Sequence, residues 1–231
     1  IDFSAHGHRA GCMHGPDVLR STGLLRALGR YAIPYHDYGN VEIPSGLPEQ
    51  RSANPRLKHL EEIAVVTRAM YAQTAQCFEH HRFPLVIGGD HSGSIGALEA
   101  AADRYGSELG VLYLDSHADA NTEETTVSGN IHGMVIPQFT AGGTPSLMGI
   151  GREKVPFRNV ALFGLKDVDN AEWEYIARNH IDATSIWDIE RDGIDRAISR
   201  ALSHLLGVSS KIYVSMDLDV IDQGHAPGVG T

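Results

Sequence analysis

Residues 110–121, GVLYLDSHADAN, decide how this chain is read. Gly110–Leu114 is apolar without a break, as a strand must be when helices cover both faces of a parallel sheet. The run then meets Asp115, Ser116, His117, Ala118 and Asp119. In extended chain, residues i, i+2 and i+4 point the same way, so two carboxylates and an imidazole converge on one side. Ionisable groups crowded at the mouth of an apolar strand repel and desolvate one another unless a cation joins them. An ordinary polar surface turn is the competing reading, and the apolar approach argues against it.

The pattern recurs twice. KIYVSM (211–216) runs into Asp217-Leu218-Asp219, and FPLVIGG (83–89) runs into Asp90-His91-Ser92. Strands of a parallel sheet end on one edge, where ligand crevices form. Asp115, Asp119, Asp217 and Asp219 bring four negative charges to that edge, with His91 and His117 as nitrogen donors. Two divalent cations would balance them. A donor set of oxygen and nitrogen without thiolate favours an ion such as Mn²⁺ over a closed tetrahedral zinc site. Paired cations also make a water acidic enough to serve as a nucleophile near neutral pH. Close behind lies SGNIHG (128–133), where His132 can titrate near neutrality as a proton carrier or act as a hydrogen-bonded loop residue. GGDHSGSIG (88–96) follows a strand and opens a helix like a phosphate loop, but it lacks both glycine-lysine signatures of such loops.

Around these motifs, apolar runs alternate with helical periodicity, predicting an α/β fold on a mostly parallel sheet. Strands are expected at Phe83–Ile87, Gly110–Leu114, Asn159–Gly164 and Lys211–Met216, with weaker candidates at Ala32–Tyr35 and Ala183–Trp187. Helices are expected over Pro16–Tyr31, Pro55–His81, Gly93–Tyr105, Ala171–Asn179 and Asp192–Leu206. Asn40–Pro55 and Gln138–Pro156, rich in Gly and Pro, read as loops. His80, His81, His180 and His204 read as surface residues, while His6, His8 and His14 border a glycine-rich entry segment. No repeat or linker divides the 231 residues, so one domain, 1–231, is expected. A 42% hydrophobic share excludes disorder, and no apolar run approaches the roughly 20 residues of a membrane span. Nineteen Lys and Arg against 29 Asp and Glu give −10, which excludes a sequence-independent grip on nucleic acid. Cys12 and Cys77 are the only cysteines and suit a reducing compartment.

Taken in order, GCMHGPDVLR (11–20), GGDHS (88–92), DSHADAN (115–121), SGNIHG (128–133), SMDLDVID (215–222) and APGVGT (226–231) resemble the ureohydrolase family, arginases above all. The resemblance runs from Gly7 to Thr231. It implies a three-layer α/β/α fold and a homo-oligomer (trimer or hexamer) in the cytoplasm or, behind a leader, the mitochondrion. It also implies two Mn²⁺ per subunit that serve hydrolysis of a small guanidino substrate. One ion would be held by His91, Asp115, Asp119 and Asp217, the other by Asp115, His117, Asp217 and Asp219. Asp119 and His132 would carry protons during catalysis. Asn121, Thr126, Ser128 and Asn130 would meet the amino-acid end of L-arginine. GLKDVDNAE (164–172) resembles the segment receiving the α-ammonium, which points to Asp169 and Glu172. L-Ornithine and urea would be the products.

Three departures from the family pattern are visible: Ser116 for alanine, Val135 for proline, and Gln223 for the proline after the third aspartate. The resemblance further implies a guanidinium-gripping glutamate and a central strand beyond Thr231. Without that strand neighbouring strands would be left apart, so the natural chain is expected to extend past both Ile1 and Thr231. Agmatine or guanidinobutyrate hydrolysis is the near alternative; Asp169 and Glu172 make little sense for a substrate without an ammonium, such as guanidinobutyrate. A non-catalytic relative would have lost ligands, and none is lost in this chain. A single-zinc deacetylase fits the paired ligand set less well.

Overall fold

The computed structural model describes residues 11–42, 56–140, 143, 144, 147 and 149–229. His6, His8, most of the Asn40–Pro55 loop and the last two residues lie outside them. Four parallel strands form the sheet: β1 (Leu109–Leu114), β2 (Val160–Leu165), β3 (Asp182–Ser185) and β4 (Lys211–Met216), in the order β3-β2-β1-β4. The helices are α1 (Gly15–Thr22), α2 (Leu24–Arg30), α3 (Leu60–Glu79), α4 (Ser94–Tyr105), α5 (Val135–Phe139), α6 (Asn170–Asn179), α7 (Ile186–Asp192) and α8 (Ile194–Val208).

Strand alternation sorts the core into two layers. Leu109, Val111 and Tyr113 of β1 turn toward Leu60, Ile63 and Ala64 of α3 and Ile95 and Leu98 of α4. Leu112 of β1, with Ala161 and Phe163 of β2, turns the other way onto Ala197, Ala201 and Leu205 of α8. Helices on both faces make the three-layer α/β/α arrangement, and they explain why the strands read as unbroken apolar runs. Among the described residues, no helix is long and apolar enough to cross a membrane.

Several expected elements are corrected. Phe83–Ile87 forms no strand; it lacks a strand partner among the described residues, and Phe83 and Leu85 are exposed. The flank of β4 away from β1 is likewise without a strand partner among the described residues, and Val214 and Met216 are exposed there. A strand exists only when its backbone groups are paired, and an apolar sequence alone cannot supply the partner. Ala32–Tyr35 also has no strand partner among the described residues; Ala32 has φ +51°, and the Ala32 and Ile33 amides donate back to the Gly29 and Leu28 carbonyls at the end of α2. Gly23, at φ +129°, splits the expected Pro16–Tyr31 helix into α1 and α2. The long helix starts at Leu60 rather than near Pro55. β3 stops at Ser185 because Ser185 and Asp188 cap each other's backbone and start α7, which the sequence reading missed. Gly193 then separates α7 from α8, and α5 is unanticipated, its last two residues, Gln138 and Phe139, falling in the expected loop.

The tightest helix contact is between α3 and α4 at Gly96. A Cβ there would press on the Thr67 carbonyl oxygen and lie 2.8 Å from the Tyr71 amide nitrogen. Backbone cannot move aside as a side-chain tip can. Gly96→Ala is therefore expected to destabilise the protein by about 1–3 kcal/mol, read as a lowered urea midpoint.

Candidate metal centre

The sheet register brings the acidic clusters together. Leu114 pairs with Met216, so Asp115 and Asp217 leave the sheet side by side. Their amides continue the ladder: Asp115 donates to the Phe163 carbonyl at 3.1 Å, and Asp217 to the Leu114 carbonyl at 2.8 Å. The turn after β1 is pinned by the Ser116 carbonyl, which accepts from the amides of Lys166 and Asp167 beyond β2. Asp217 then starts a short 3₁₀ turn by accepting from the Asp219 amide at 3.1 Å. His91 arrives from the opposite side, on a 3₁₀ turn capped by the Asp90 side chain, which accepts from the amide of Ser92. Asp90 thus orients the turn and is spent in doing so.

All six expected ligands meet at this edge. His91 Nδ1 lies 3.0 Å from Asp115, 3.3 Å from Asp217 and 3.4 Å from Asp119, measured to Oδ2 in each case. His117 Nδ1 lies 3.0 Å from Asp219 Oδ2 and 3.4 Å from Asp115 Oδ1. Two ligand groups result, His91–Asp115–Asp217 and Asp115–His117–Asp219, with Asp115 common to both. His91 Nδ1 is buried and meets none of the carboxylates in hydrogen-bonding geometry, though three surround it. An imidazole nitrogen turned into converging carboxylates is the arrangement a cation site requires. The donor set, all carboxylate oxygen and imidazole nitrogen, fits a divalent ion.

The electrostatics express the same crowding. Burial alone would lower the His91 imidazole, but Asp115, Asp217 and Asp119 push it up to about 10. His117, beside Asp115 and Asp219, is pushed up to about 11. Burial and the charge of Asp115 drive the Asp119 carboxyl well above its usual range. Asp119 also holds a left-handed backbone, φ +47°, uncommon for a residue with a side chain.

His132 sits on the turn Ile131–Met134, which is stitched to the ligand loop. The Asn121 amide donates to the Gly133 carbonyl, and that of Ile136 to the Asp119 carbonyl. Burial lowers the His132 imidazole below the usual value, while Asp90 and Asp217 oppose that fall and His117 and His91 add to it. Of the expected substrate residues, Asn121 and Asp169 are joined by a 2.8 Å hydrogen bond from Nδ2 to Oδ2. Thr126 Oγ1 accepts from the Gly129 amide and Ser128 Oγ from the Asn130 amide, which shapes their loop. Asn130 Oδ1 is buried without a partner among the described residues. Glu172 is turned inward: its oxygens accept from the amides of Ala120 and Asp169, both at 3.1 Å.

Four features escaped the sequence reading: the Asp90 cap, the inward Glu172, and Tyr113 and Ser215, which both touch His91. The D-x-x-E spacing of Asp169 and Glu172 is a capping-box signal that could have found the second of these.

Residues 1–231 match the Arginase family. The arginase of Bacillus caldovelox is 34% identical over 225 residues, 96% of this chain and 75% of that protein. The chain belongs to the arginase family. The arginase of Staphylococcus aureus (strain COL) is 31% identical, covering 94% of this chain and 72% of its own. The fold agrees. A structure of the B. caldovelox arginase superposes with a TM-score of 0.89 at 32% identity, covering 94% of this chain and 74% of that one. The Bacillus cereus arginase gives 0.86 at 33%, covering 94% and 72%.

Glu172 ties α6 to the backbone just after Asp119. Glu172→Ala would leave the buried Ala120 amide unpaired, so a loss of about 1–3 kcal/mol is expected in urea unfolding.

Proposed function

We propose that this chain carries the centre of a manganese-dependent ureohydrolase that converts L-arginine to L-ornithine and urea. The observation that carries the reading is Asp115, shared between two carboxylate–imidazole groups at the sheet edge. His91, Asp115, Asp119 and Asp217 would hold one Mn²⁺, and Asp115, His117, Asp217 and Asp219 the other. Membership of the arginase family and the names of its relatives support the same chemistry. Two bound divalent ions would supply an acidic water near neutral pH and positive charge where the guanidinium carbon is attacked.

The residues of the chain do the rest. Asp119 accepts the proton released by the attacking water, and its burial keeps bulk water from competing. His132, lowered by burial, is neutral at physiological pH and can both take up a proton and hand it to the departing amine nitrogen. Asn121, Thr126, Ser128 and Asn130 line the loop that meets the substrate carboxylate, where their hydroxyl and amide N–H groups can donate to it. Asp169 and Glu172 place negative charge at the α-ammonium end. Asp169 is the exposed member, so it makes the contact, and Glu172 holds its backbone. Holding the substrate at both ends of its amino-acid group fixes the guanidinium over the ligand cluster and removes orientational entropy from the reaction.

Urea release measured with L-arginine and with agmatine, each with and without added Mn²⁺, tests the reading. Metal-dependent urea from arginine, with agmatine far slower, is the expected result. No metal-dependent urea would overturn the assignment, and equal rates would overturn the carboxylate contact, because agmatine keeps the ammonium and lacks only the carboxylate. Asp169→Asn keeps a capping side chain but removes the charge. It should raise KM for arginine by about tenfold and leave unchanged the kinetics with guanidinobutyrate, which has no ammonium.

A further inference from the structure

The cluster is held from behind by a side chain that belongs to the sheet itself. Tyr113 of β1 is fully buried, and its ring stacks on the His91 imidazole, with centroids 4.6 Å apart and planes 10° from parallel. Its hydroxyl donates to Asp119 Oδ2 at 2.7 Å. One rigid residue therefore touches two groups that reach the centre from separate segments. The residue facing Tyr113 in the β1–β4 register is Ser215, whose Oγ lies 2.8 Å from His91 Nε2. His91 is thus gripped on its ring face by Tyr113 and at Nε2 by Ser215. Nδ1, the remaining nitrogen, faces the carboxylates of Asp115, Asp119 and Asp217. Asp119 needs such a tether, because its backbone occupies the left-handed region and its carboxylate is buried.

We propose that Tyr113 is a positioning residue of the metal centre: it sets the His91 ring and the Asp119 carboxylate in one geometry for a divalent ion, with Ser215 fixing which His91 nitrogen faces inward. The inference rests on the reading of His91 and Asp119 as ligands. Groups behind the ligands commonly govern metal affinity by orienting them and fixing the imidazole tautomer. Tyr113 does the orienting from a buried strand position, and Ser215 holds Nε2 so that Nδ1 turns inward.

Mn²⁺ titration followed by the electron paramagnetic resonance of the free ion tests this on wild type, Tyr113→Phe and Ser215→Ala. Melting of each metal-free protein is measured alongside. Tyr113→Phe keeps the ring on His91 and removes only the hydroxyl. A loss of about tenfold to a hundredfold in Mn²⁺ affinity is expected for it, with KM for arginine at saturating metal changed less than about twofold. Ser215→Ala should lose affinity by a similar factor, and it keeps the test decisive if the Phe variant folds poorly. Mn²⁺ affinity unchanged within about twofold, or a lowered melting temperature with affinity intact, would reduce Tyr113 to a core residue and overturn the proposal. A wild-type protein that takes up no Mn²⁺ would overturn the ligand assignment itself, and the proposal with it. A wild-type protein that binds Mn²⁺ alongside variants that bind equally well would remove the proposal alone.

Discussion

Four carboxylates held within reach of two imidazoles are the constraint from which the site follows. Asp115 and Asp119 are almost wholly buried, and Asp217 and Asp219 stand beside them. Such a group resists assembly, because each carboxylate loses hydration and meets the charge of the others. The fold answers with backbone: amides of His117 and Ser116 donate to Asp115 and Asp219, and the Asp219 amide donates to Asp217. The sheet register forces Asp115 and Asp217 to the same place whatever their mutual repulsion. What backbone amides cannot neutralise is left for the imidazoles, whose raised pKa values measure the excess negative charge.

The path from sheet to site is short because each ligand segment leaves the edge of an ordered element. Asp115 and Asp217 come directly off β1 and β4, and His91 comes off the turn that opens α4. His132 comes off the turn that opens α5, tied to the ligand loop by two backbone hydrogen bonds. Groups mounted this way are held more closely than groups on long loops. The more exposed loop 121–130, the proposed substrate contact, relies instead on Thr and Ser hydroxyls that accept from its own amides. A rigid centre beside an adaptable rim lets one chemistry be kept while the molecule it acts on is chosen by a few loop side chains.

The ligands were legible because charge is out of place where an apolar run ends, and three such endings in one chain limit the explanations. His91 was found through Phe83–Ile87, a segment that forms no strand. The inference survives that correction because it needs only the direction of the chain and not a hydrogen-bonded ladder. Residue type alone could not show Tyr113, since a tyrosine inside an apolar strand reads as core packing. Its role appears only when His91 is brought over its ring from a separate segment. Glu172 was legible as an acid but not as an inward-facing one. Its partner, the Ala120 amide, lies 52 residues away, and no local pattern reports it. The break at Gly23 and the helix α7 were missed because a single glycine or a reciprocal Ser–Asp cap redirects the chain without disturbing hydrophobic periodicity.

The burial of Tyr113 has a consequence for how the centre tolerates change. Its ring belongs to the core layer formed with α3 and α4, while its hydroxyl belongs to the site. Packing at the close α3–α4 contact therefore bears on where that hydroxyl lies, because side chains at native density cannot shift singly. Ser215 couples in the same way from β4, the strand that carries Asp217. Stability and ligand geometry are thus not separable in this fold. A substitution deep in the apolar layer can reach the carboxylates through one aromatic ring.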